Sequence, residues 1–229
     1  KAADQGLTSA QYNLGVMYDN GQGVGQDDQQ AVFWYRKAAD QGNAPAQYNL
    51  GLMYSNGQGV VQDDEAAVKW YRLAADKGYA GAQSNLGVMY KDGQGVVQDY
   101  EEALKWYRLA ADQGYAPAHY NLGFMYDDGR GVVQDYEEAE RWYRLAADQG
   151  YALAQSNLGA MYRDGRGVVQ DYAQAYMLYI LAAAHLTGSD RNQAVEGRAA
   201  VEAKIPPAQV AEVQKMAREW RPKIENPGQ

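Results

Sequence analysis

The side chains that could act as nucleophiles or metal ligands are few in this chain of 229 residues. It has no cysteine, so thiolate zinc sites, cysteine nucleophiles and disulfides are excluded. Its two histidines are His119 and His185, and no metal triad can be assembled around them. His119 stands where four sister positions carry glutamine, which we interpret as a surface position without a catalytic role. The sequence therefore predicts no metal, no cofactor and no catalytic histidine.

Glycine pairs and clustered acids do not predict a ligand loop either. Pairs such as Gly21 and Gly23 follow a helical pattern rather than a strand, and they lack the Gly-Lys-Ser/Thr ending of a phosphate loop. The segment Asp127-Asp128-Gly129 lacks the alternating ligands of a calcium loop.

Paired carboxylates remain the one route to chemistry. Glycoside hydrolysis needs two rigidly held acids in a cleft, at least one of them in an apolar pocket. Asp19 and Asp127 are the only central candidates. We predict that the chain is not an enzyme, and an envelope enzyme that acts on cell-wall sugar or peptide is the alternative.

Composition limits the partners. The formal net charge of −8 disfavours nucleic acid, because no basic stripe offsets the acidic balance. No apolar run is long enough to span a membrane, and we find no signal peptide. The chain starts at Lys1 inside a repeated phrase, since KAADQG at 1–6 recurs at 37–42. We therefore expect residues 1–8 to be the tail of a truncated upstream repeat.

A segment of fourteen residues recurs every 36 positions along the chain. LGVMYDNGQGVGQD starts at 14, and close copies start at 50, 86, 122 and 158. Each copy reads as two helices, because apolar residues recur at helical spacing before and after the glycine pair. The glycines are typical of a helix end, and Asp27 with Gln30 predicts the cap of the second helix.

Repeated small and aromatic residues predict how the copies stack. A glycine in mid-helix, such as Gly15, costs about 1 kcal/mol of helix propensity, so we expect a ring of a neighbouring helix against it. The recurring tryptophans, among them Trp34 and Trp106, are the rings we assign to this role. Repeated arginines such as Arg36, with Asp40 four residues later, predict salt links between stacked units.

The pattern AxAQYNLGxMYxxGxGVxQD followed by AxxWYRxAADxG resembles the Sel-one-like repeat family, which is similar to tetratricopeptide repeats. The resemblance implies an all-α fold: a right-handed α/α superhelical solenoid of helix-turn-helix repeats with period 36. It also implies a concave face that holds proteins or peptides, and a role as adaptor or scaffold. A bacterial periplasmic, envelope or secreted location rests on this resemblance alone.

The end of the chain departs from the repeat. In the fifth copy Leu178 replaces tryptophan, and several polar outer positions become apolar. We expect the following residues to cover them with a helical cap, in which Ser189 opens a first helix and a second follows Pro206-Pro207. The predicted domains are thus five repeats over 1–186 and a C-terminal capping helix pair with its tail over 187–229.

The copies differ along one line of the first helix, at the equivalents of residues 12, 16 and 19. These positions share an arc of the helical wheel, and we call their row the inner ribbon. Its aromatic and aliphatic residues have no evident need in the stack, so they predict a groove for an extended peptide or partner helix rather than drifting surface. The predicted partner-binding residues are Tyr12, Val16, Tyr48, Leu52, Val88, Lys91, Tyr120, Phe124, Asp127 and Arg163.

Three functions therefore stay open. The favoured one is a non-catalytic protein–protein interaction module that binds a peptide or partner protein on the concave face. The second is the envelope enzyme. The third is a structural scaffold that self-associates through the uncapped N-terminal end.

Overall fold

A computed structural model describes Ala3 and residues 6–223, and these residues form twelve α-helices and no β-strand. The first helices of the repeats, called A helices, are α1 (Thr8–Asn20), α3 (Ala44–Asn56), α5 (Ala80–Asp92), α7 (Ala116–Asp128) and α9 (Ala152–Asp164). The second, called B helices, are α2 (Asp28–Asp40), α4 (Asp64–Ala75), α6 (Tyr100–Ala111), α8 (Tyr136–Asp148) and α10 (Tyr172–His185). The last pair is α11 (Gly188–Glu202) and α12 (Pro207–Glu219).

The predicted helix boundaries are confirmed where local chemistry sets them. Gly21 ends α1 in the left-handed region with φ 66°, a conformation that costs glycine little. The side chain of Asp27 then accepts a hydrogen bond of 3.0 Å from the backbone N–H of Gln30 and so caps α2. The loop closes on itself, since the N–H of Asp27 donates to the carbonyl of Tyr18 at 3.0 Å.

The mid-helix glycines pack against tyrosine, so the prediction that tryptophan fills this place is wrong. A Cβ added to Gly51 would lie 2.6 Å from the Tyr71 ring, and the other internal repeats show the same contact. Trp70, one residue earlier on the B helix, is buried in a core cluster that joins Leu50 and Met53 of its own repeat to α2 of the preceding repeat. Adjacent residues of a helix point about 100° apart. The tyrosine therefore meets the glycine of its own repeat, whereas the tryptophan joins the cluster formed with the preceding B helix.

The predicted arginine–aspartate links are also wrong at Arg36 and Arg72. Arg36 donates to the hydroxyl of Tyr54 in the next A helix, and Arg72 bonds Tyr90 in the same way. The guanidinium of Arg36 also lies 5.6 Å from the centre of the Tyr54 ring. Planar guanidinium groups stack on rings and donate at their rim. These arginines therefore connect consecutive repeats through tyrosine rather than through a carboxylate.

The chain divides into two compact units, Lys1–Ala110 and Ala111–Gln229. The core of the first unit lies between each B helix and the next A helix, where Ala38, Leu50 and their equivalents are wholly buried. The second unit repeats this arrangement with Tyr143 and Leu158, and Leu178 takes the place of tryptophan.

The C-terminal helices cover α10, as expected. Val201 of α11 and Val213 of α12 are buried in one cluster with Tyr179. Ser189 does not cap α11, because the helix begins one residue earlier and its N-cap is Thr187. Trp220 lies just past the end of α12 rather than inside it. The domain boundary at 186/187 stays a prediction, and the predicted upstream tail falls partly on residues 1, 2, 4 and 5, outside the described residues.

Helix α11 continues the spacing of the A helices, which the sequence pattern did not reveal. It begins at Gly188, and 188 − 152 gives the same 36 residues that separate α9 from α7. The side chain of Gln155 in α9 donates to the carbonyl of Ala147 at 3.1 Å, and Arg191 in α11 donates to that of Ala183 at 3.3 Å. The same eight-residue offset places α11 where a sixth A helix would lie.

Candidate partner-binding surface

All ten predicted partner-binding residues lie on A helices, and each is half-buried. In the first unit they are Tyr12, Val16, Tyr48, Leu52, Val88 and Lys91, and in the second they are Tyr120, Phe124, Asp127 and Arg163. Each side chain packs one side against the protein and leaves the other accessible. This is the arrangement of a surface that has rigid apolar contact area to offer.

The ribbon tyrosines also hold consecutive A helices together, a role that the sequence reasoning missed. The Tyr48 ring lies 5.0 Å from that of Tyr79 and 6.0 Å from that of Tyr71, centre to centre. A Cβ added to Gly81 of α5 would lie 3.4 Å from the same ring. Tyr48 therefore bridges α3 and α5, and the expectation that ribbon aromatics serve no structural need is wrong at this position.

Tyr120 does the same in the second unit. Its ring lies 5.8 Å from that of Tyr143 and 5.2 Å from that of Tyr151, which precedes α9. Burial raises the pKa of the Tyr120 hydroxyl, and the nearby side chain of Asn157 in α9 opposes this. The ring thus reaches toward the next A helix, where it contacts Tyr151.

The charged ribbon residues are each paired with a neighbour. Lys91 lies 2.8 Å from Asp92, and Arg163 donates to both oxygens of Asp164 at 2.7 and 2.8 Å. The bond to Arg163 lowers the pKa of Asp164. The ribbon is therefore less strongly divided into cationic and anionic stretches than its sequence suggests.

The two carboxylates weighed for catalysis are engaged as well. Asp19 accepts a hydrogen bond of 3.0 Å from the Tyr35 hydroxyl, and Asp127 lies 2.8 Å from Arg166. Tyr143 is the equivalent of Tyr35 in the fourth repeat. Asp127 pairs with Arg166 instead, and the Tyr143 hydroxyl is buried without a hydrogen-bond partner in the described structure. Burial, with Asp127 nearby, raises the pKa of Tyr143.

His119 is buried rather than on the surface, which corrects the prediction. Its Nε2 lies 3.1 Å from the carbonyl of Ala111. In the second repeat, Gln47 donates to the equivalent carbonyl, that of Ala39. Its ring stacks on Trp142 at 5.7 Å between centres. His119 therefore replaces the glutamine in a structural hydrogen bond. Within the described residues, no group of three His, Cys, Asp or Glu side chains could hold a metal ion.

The loops carry a repeated exposed residue that the sequence reasoning passed over. Val61, Val97, Val133 and Val169 are each 87–89% exposed. The glycine two residues before Val61 explains why the loop itself is fixed, since a Cβ on Gly59 would lie 2.3 Å from the carbonyl oxygen of Asp28. The valine makes no such contact, and only its repetition in GVVQD could have indicated it.

A pocket of about 420 Å³ opens at the ribbon in the second unit. Its lining comes from α9 (Ser156, Asn157, Ala160 and Arg163), from Tyr179 of α10, and from α11 (Gln193, Glu196, Gly197 and Ala200). A Cβ added to Gly197 would lie 2.5 Å from Tyr179, so α11 approaches that ring as only glycine allows.

The repeats match a known family. The family described as Sel1 repeat matches residues 8–43, 44–79, 80–115, 116–151 and 152–185. The chain belongs to the Sel1 repeat family. This confirms the resemblance seen in the sequence and the all-α solenoid of helix pairs. Sel1 repeat proteins generally mediate protein–protein interactions, and their solenoids are generally non-catalytic.

Two solved structures extend the match over nearly the whole chain. A Sel1 repeat protein from Oxalobacter formigenes is 34% identical with a TM-score of 0.81, over 96% of this chain and 91% of its own. A protective antigen of uropathogenic Escherichia coli strains, which displays an SLR fold, is 36% identical with a TM-score of 0.76. The alignment covers 95% of this chain and 55% of the antigen, so this Sel1 repeat chain spans about half of that protein.

More distant comparisons add the fold alone. A putative Sel1 repeat protein from Klebsiella pneumoniae is 21% identical with a TM-score of 0.56, over 88% of this chain and 96% of its own. A search of curated protein sequences gives no match. Among the described residues, no helix has both the length and the apolar character needed to cross a bilayer.

Proposed function

We propose that this Sel1 repeat protein is a non-catalytic adaptor or scaffold that binds a peptide or partner protein along the inner ribbon. The ribbon is the face that the family resemblance places on the concave side. One observation carries the proposal: the positions that vary in sequence from repeat to repeat are also the positions whose side chains are partly exposed. Leu50, Leu86, Leu122 and Leu158 are identical and buried, whereas Leu52 and its equivalents vary and stay half-exposed.

Side-chain chemistry supports the same surface. Phe124 lies on the ribbon with the guanidinium of Arg130 at 5.1 Å from its ring centre, so part of its face is ordered by a cation. Tyr48 and Tyr120 are fixed by ring contacts on one side. Rigid aromatic residues give contact area at a low entropic cost on binding.

The enzyme alternative receives less support. A carboxylate that acts as an acid needs an apolar pocket that holds its proton. Asp19 and Asp127 instead accept hydrogen bonds from a tyrosine and an arginine. The proposed location is the bacterial envelope or the secreted space, and it rests on the family and its bacterial relatives.

Self-association through α1 is the second candidate, because an apolar side chain on its outer face is exposed among the described residues. Met17 is 36% exposed, whereas its equivalent Met53 is 2% exposed under the preceding repeat. A face of this kind can take a helix of a second copy. Mass measured by light scattering at increasing concentration would show it, and a constant monomer mass would rule it out.

A matched pair of leucine variants tests the ribbon. We expect peptides selected from a random display library on the native protein to bind Leu52→Ala about tenfold more weakly, since a buried contact leucine is worth roughly 1–2 kcal/mol. Leu73→Ala is the control, because Leu73 lies on a B helix and is 38% exposed. Circular dichroism checks both folds. Equal affinity for the two variants would contradict the proposal.

A further inference from the structure

The pocket beside α11 is the space that a tyrosine ring occupies between other A helices. At Tyr48 and Tyr120, a ring bridges an A helix to the next one. The equivalent residue in the fifth repeat is Ser156, and the equivalent of Phe124 is Ala160. Both side chains line the pocket, so α9 brings no ring into this space.

The far wall of the pocket keeps the polar group that a tyrosine hydroxyl would meet. The side chain of Asn157 lies 37 residues later (157 − 120) in the next A helix, near enough to Tyr120 to oppose the rise in the pKa of its hydroxyl. Gln193 lies 37 residues after Ser156 (193 − 156), in the helix that continues the A spacing. Gln193 lines the pocket and offers an amide in the corresponding place.

The remaining walls suit an aromatic group with a polar rim. Tyr179 supplies a ring wall that is fixed between Gly159 and Gly197, with added Cβ atoms at 3.3 Å and 2.5 Å from it. Arg163 lies at the rim, where its guanidinium is held by Asp164. Rings pack against a fixed ring wall in offset or edge geometry, and amides at the rim can bond a peptide backbone.

We propose that this pocket binds a tyrosine side chain of the partner peptide, with its ring in the space left by Ser156 and its hydroxyl on Gln193. The proposal rests on the function proposed above, since it names one residue of the peptide that the ribbon holds. It assigns the end of the ribbon beside α11 a preference that the second and fourth repeats, whose Tyr48 and Tyr120 fill the same space, do not have.

The test uses a small probe, so that it does not depend on peptide binding along the ribbon. N-acetyl-tyrosinamide is titrated into the ¹⁵N-labelled full chain, and the side-chain amide signals of Gln193 and Asn157 are followed. We expect saturable shifts, and weaker binding of N-acetyl-phenylalaninamide. N-acetyl-alaninamide and N-acetylglucosamine should leave both signals in place.

Two variants and a control make the site specific. Ser156→Tyr inserts the residue that the first, second and fourth repeats carry, and we expect it to abolish the saturable shift of the Asn157 and Gln193 amides. Gln193→Ala changes an exposed side chain; with the Asn157 amide as reporter, it should weaken the tyrosine probe about threefold to tenfold and remove its advantage over the phenylalanine probe. Ala208→Tyr adds the same ring on the exposed start of α12, outside the pocket lining, and should bind like the native protein.

Each other result has a plain reading. Unchanged binding to Ser156→Tyr, or a stronger response to the sugar than to the tyrosine probe, overturns the proposal. The absence of any saturable shift overturns it as well. Ribbon binding could still stand in that case, because the Leu52→Ala comparison measures it separately.

Discussion

At single positions, one glycine contact decides how closely the helices of a repeat approach. A Cβ on Gly123 would lie 2.6 Å from Cδ1 of Tyr143, whereas one on Gly159 would lie 3.3 Å from Tyr179. The Tyr143 ring is wholly buried, so it cannot move aside at low cost. Burial raises the pKa of Tyr71, and the nearby side chain of Asn85 opposes this.

This difference predicts the stability of two alanine variants. Gly123→Ala should lower the free energy of unfolding by about 1–3 kcal/mol, because overpacking outweighs the gain in helix propensity. Gly159→Ala should be close to neutral, since its ring needs to move only slightly. Urea unfolding followed by circular dichroism measures both. Equal destabilisation would show that the tyrosine contact does not set the spacing.

Among the helices, the last pair matters most for the integrity of the second unit. Helix α10 carries apolar residues, and Ala182, Tyr176 and Tyr179 stay buried because α11 and α12 pack on them. Terminal helices with a polar outer face are what repeat arrays need to remain soluble. Helix α11 does this in the position of an A helix, so the cap is an altered repeat rather than an unrelated element.

Removal of the cap should therefore be costly. A chain that ends at Leu186 loses the buried valines of α11 and α12, worth about 3–6 kcal/mol together. We expect a lower urea midpoint and binding of the dye ANS to the exposed face of α10. A chain that ends at Lys223 is the control and should match the full chain. If the shorter chain unfolded at the same midpoint, α10 would not need its cover.

For the molecule as a whole, five buried tyrosines predict a limit of stability at high pH. Burial raises the pKa of Tyr35, Tyr71, Tyr107, Tyr143 and Tyr179 in the folded chain. The unfolded chain binds fewer protons than the folded one above about pH 10, the ordinary tyrosine value. Stability is thus full below pH 10 and falls as the pH rises further.

The ionisation of tyrosine can be followed by absorbance at 295 nm. We expect a smooth titration of exposed tyrosines and a later cooperative rise that coincides with the loss of helix in circular dichroism. If all tyrosines ionised near pH 10 while the helices persisted, the rings would not be buried against the glycines.

Local chemistry made much of this fold predictable from the sequence. Asp27 begins a helix and Gly21 ends one through contacts with residues close in sequence. The helix pairs and their period could therefore be predicted from the sequence pattern. Contacts between repeats were less accessible. Whether Trp70 or Tyr71 meets Gly51 depends on one step of helix rotation, and the burial of His119 depends on a carbonyl of the preceding helix.

The site was predictable only in part, for the same reason. The inner ribbon could be read from variation, because its residues are half-exposed on one helix. The pocket could not, since it arises from a ring that is absent at Ser156 and from a helix whose residues no longer match the repeat. The one available signal was the 36-residue spacing of the A helices, which predicts a further helix start at Gly188.

The central claim is that the ribbon, and not the outer face, meets the partner. The most direct measurement places the photocrosslinker benzoylphenylalanine at Phe124 on the ribbon and, separately, at Leu145 on a B helix with 39% exposure. Both proteins are irradiated in an extract of bacterial cells. A discrete adduct with another protein at Phe124 and none at Leu145 is the predicted result. Equal yields at the two positions, or adducts only between copies of this chain, would contradict the account.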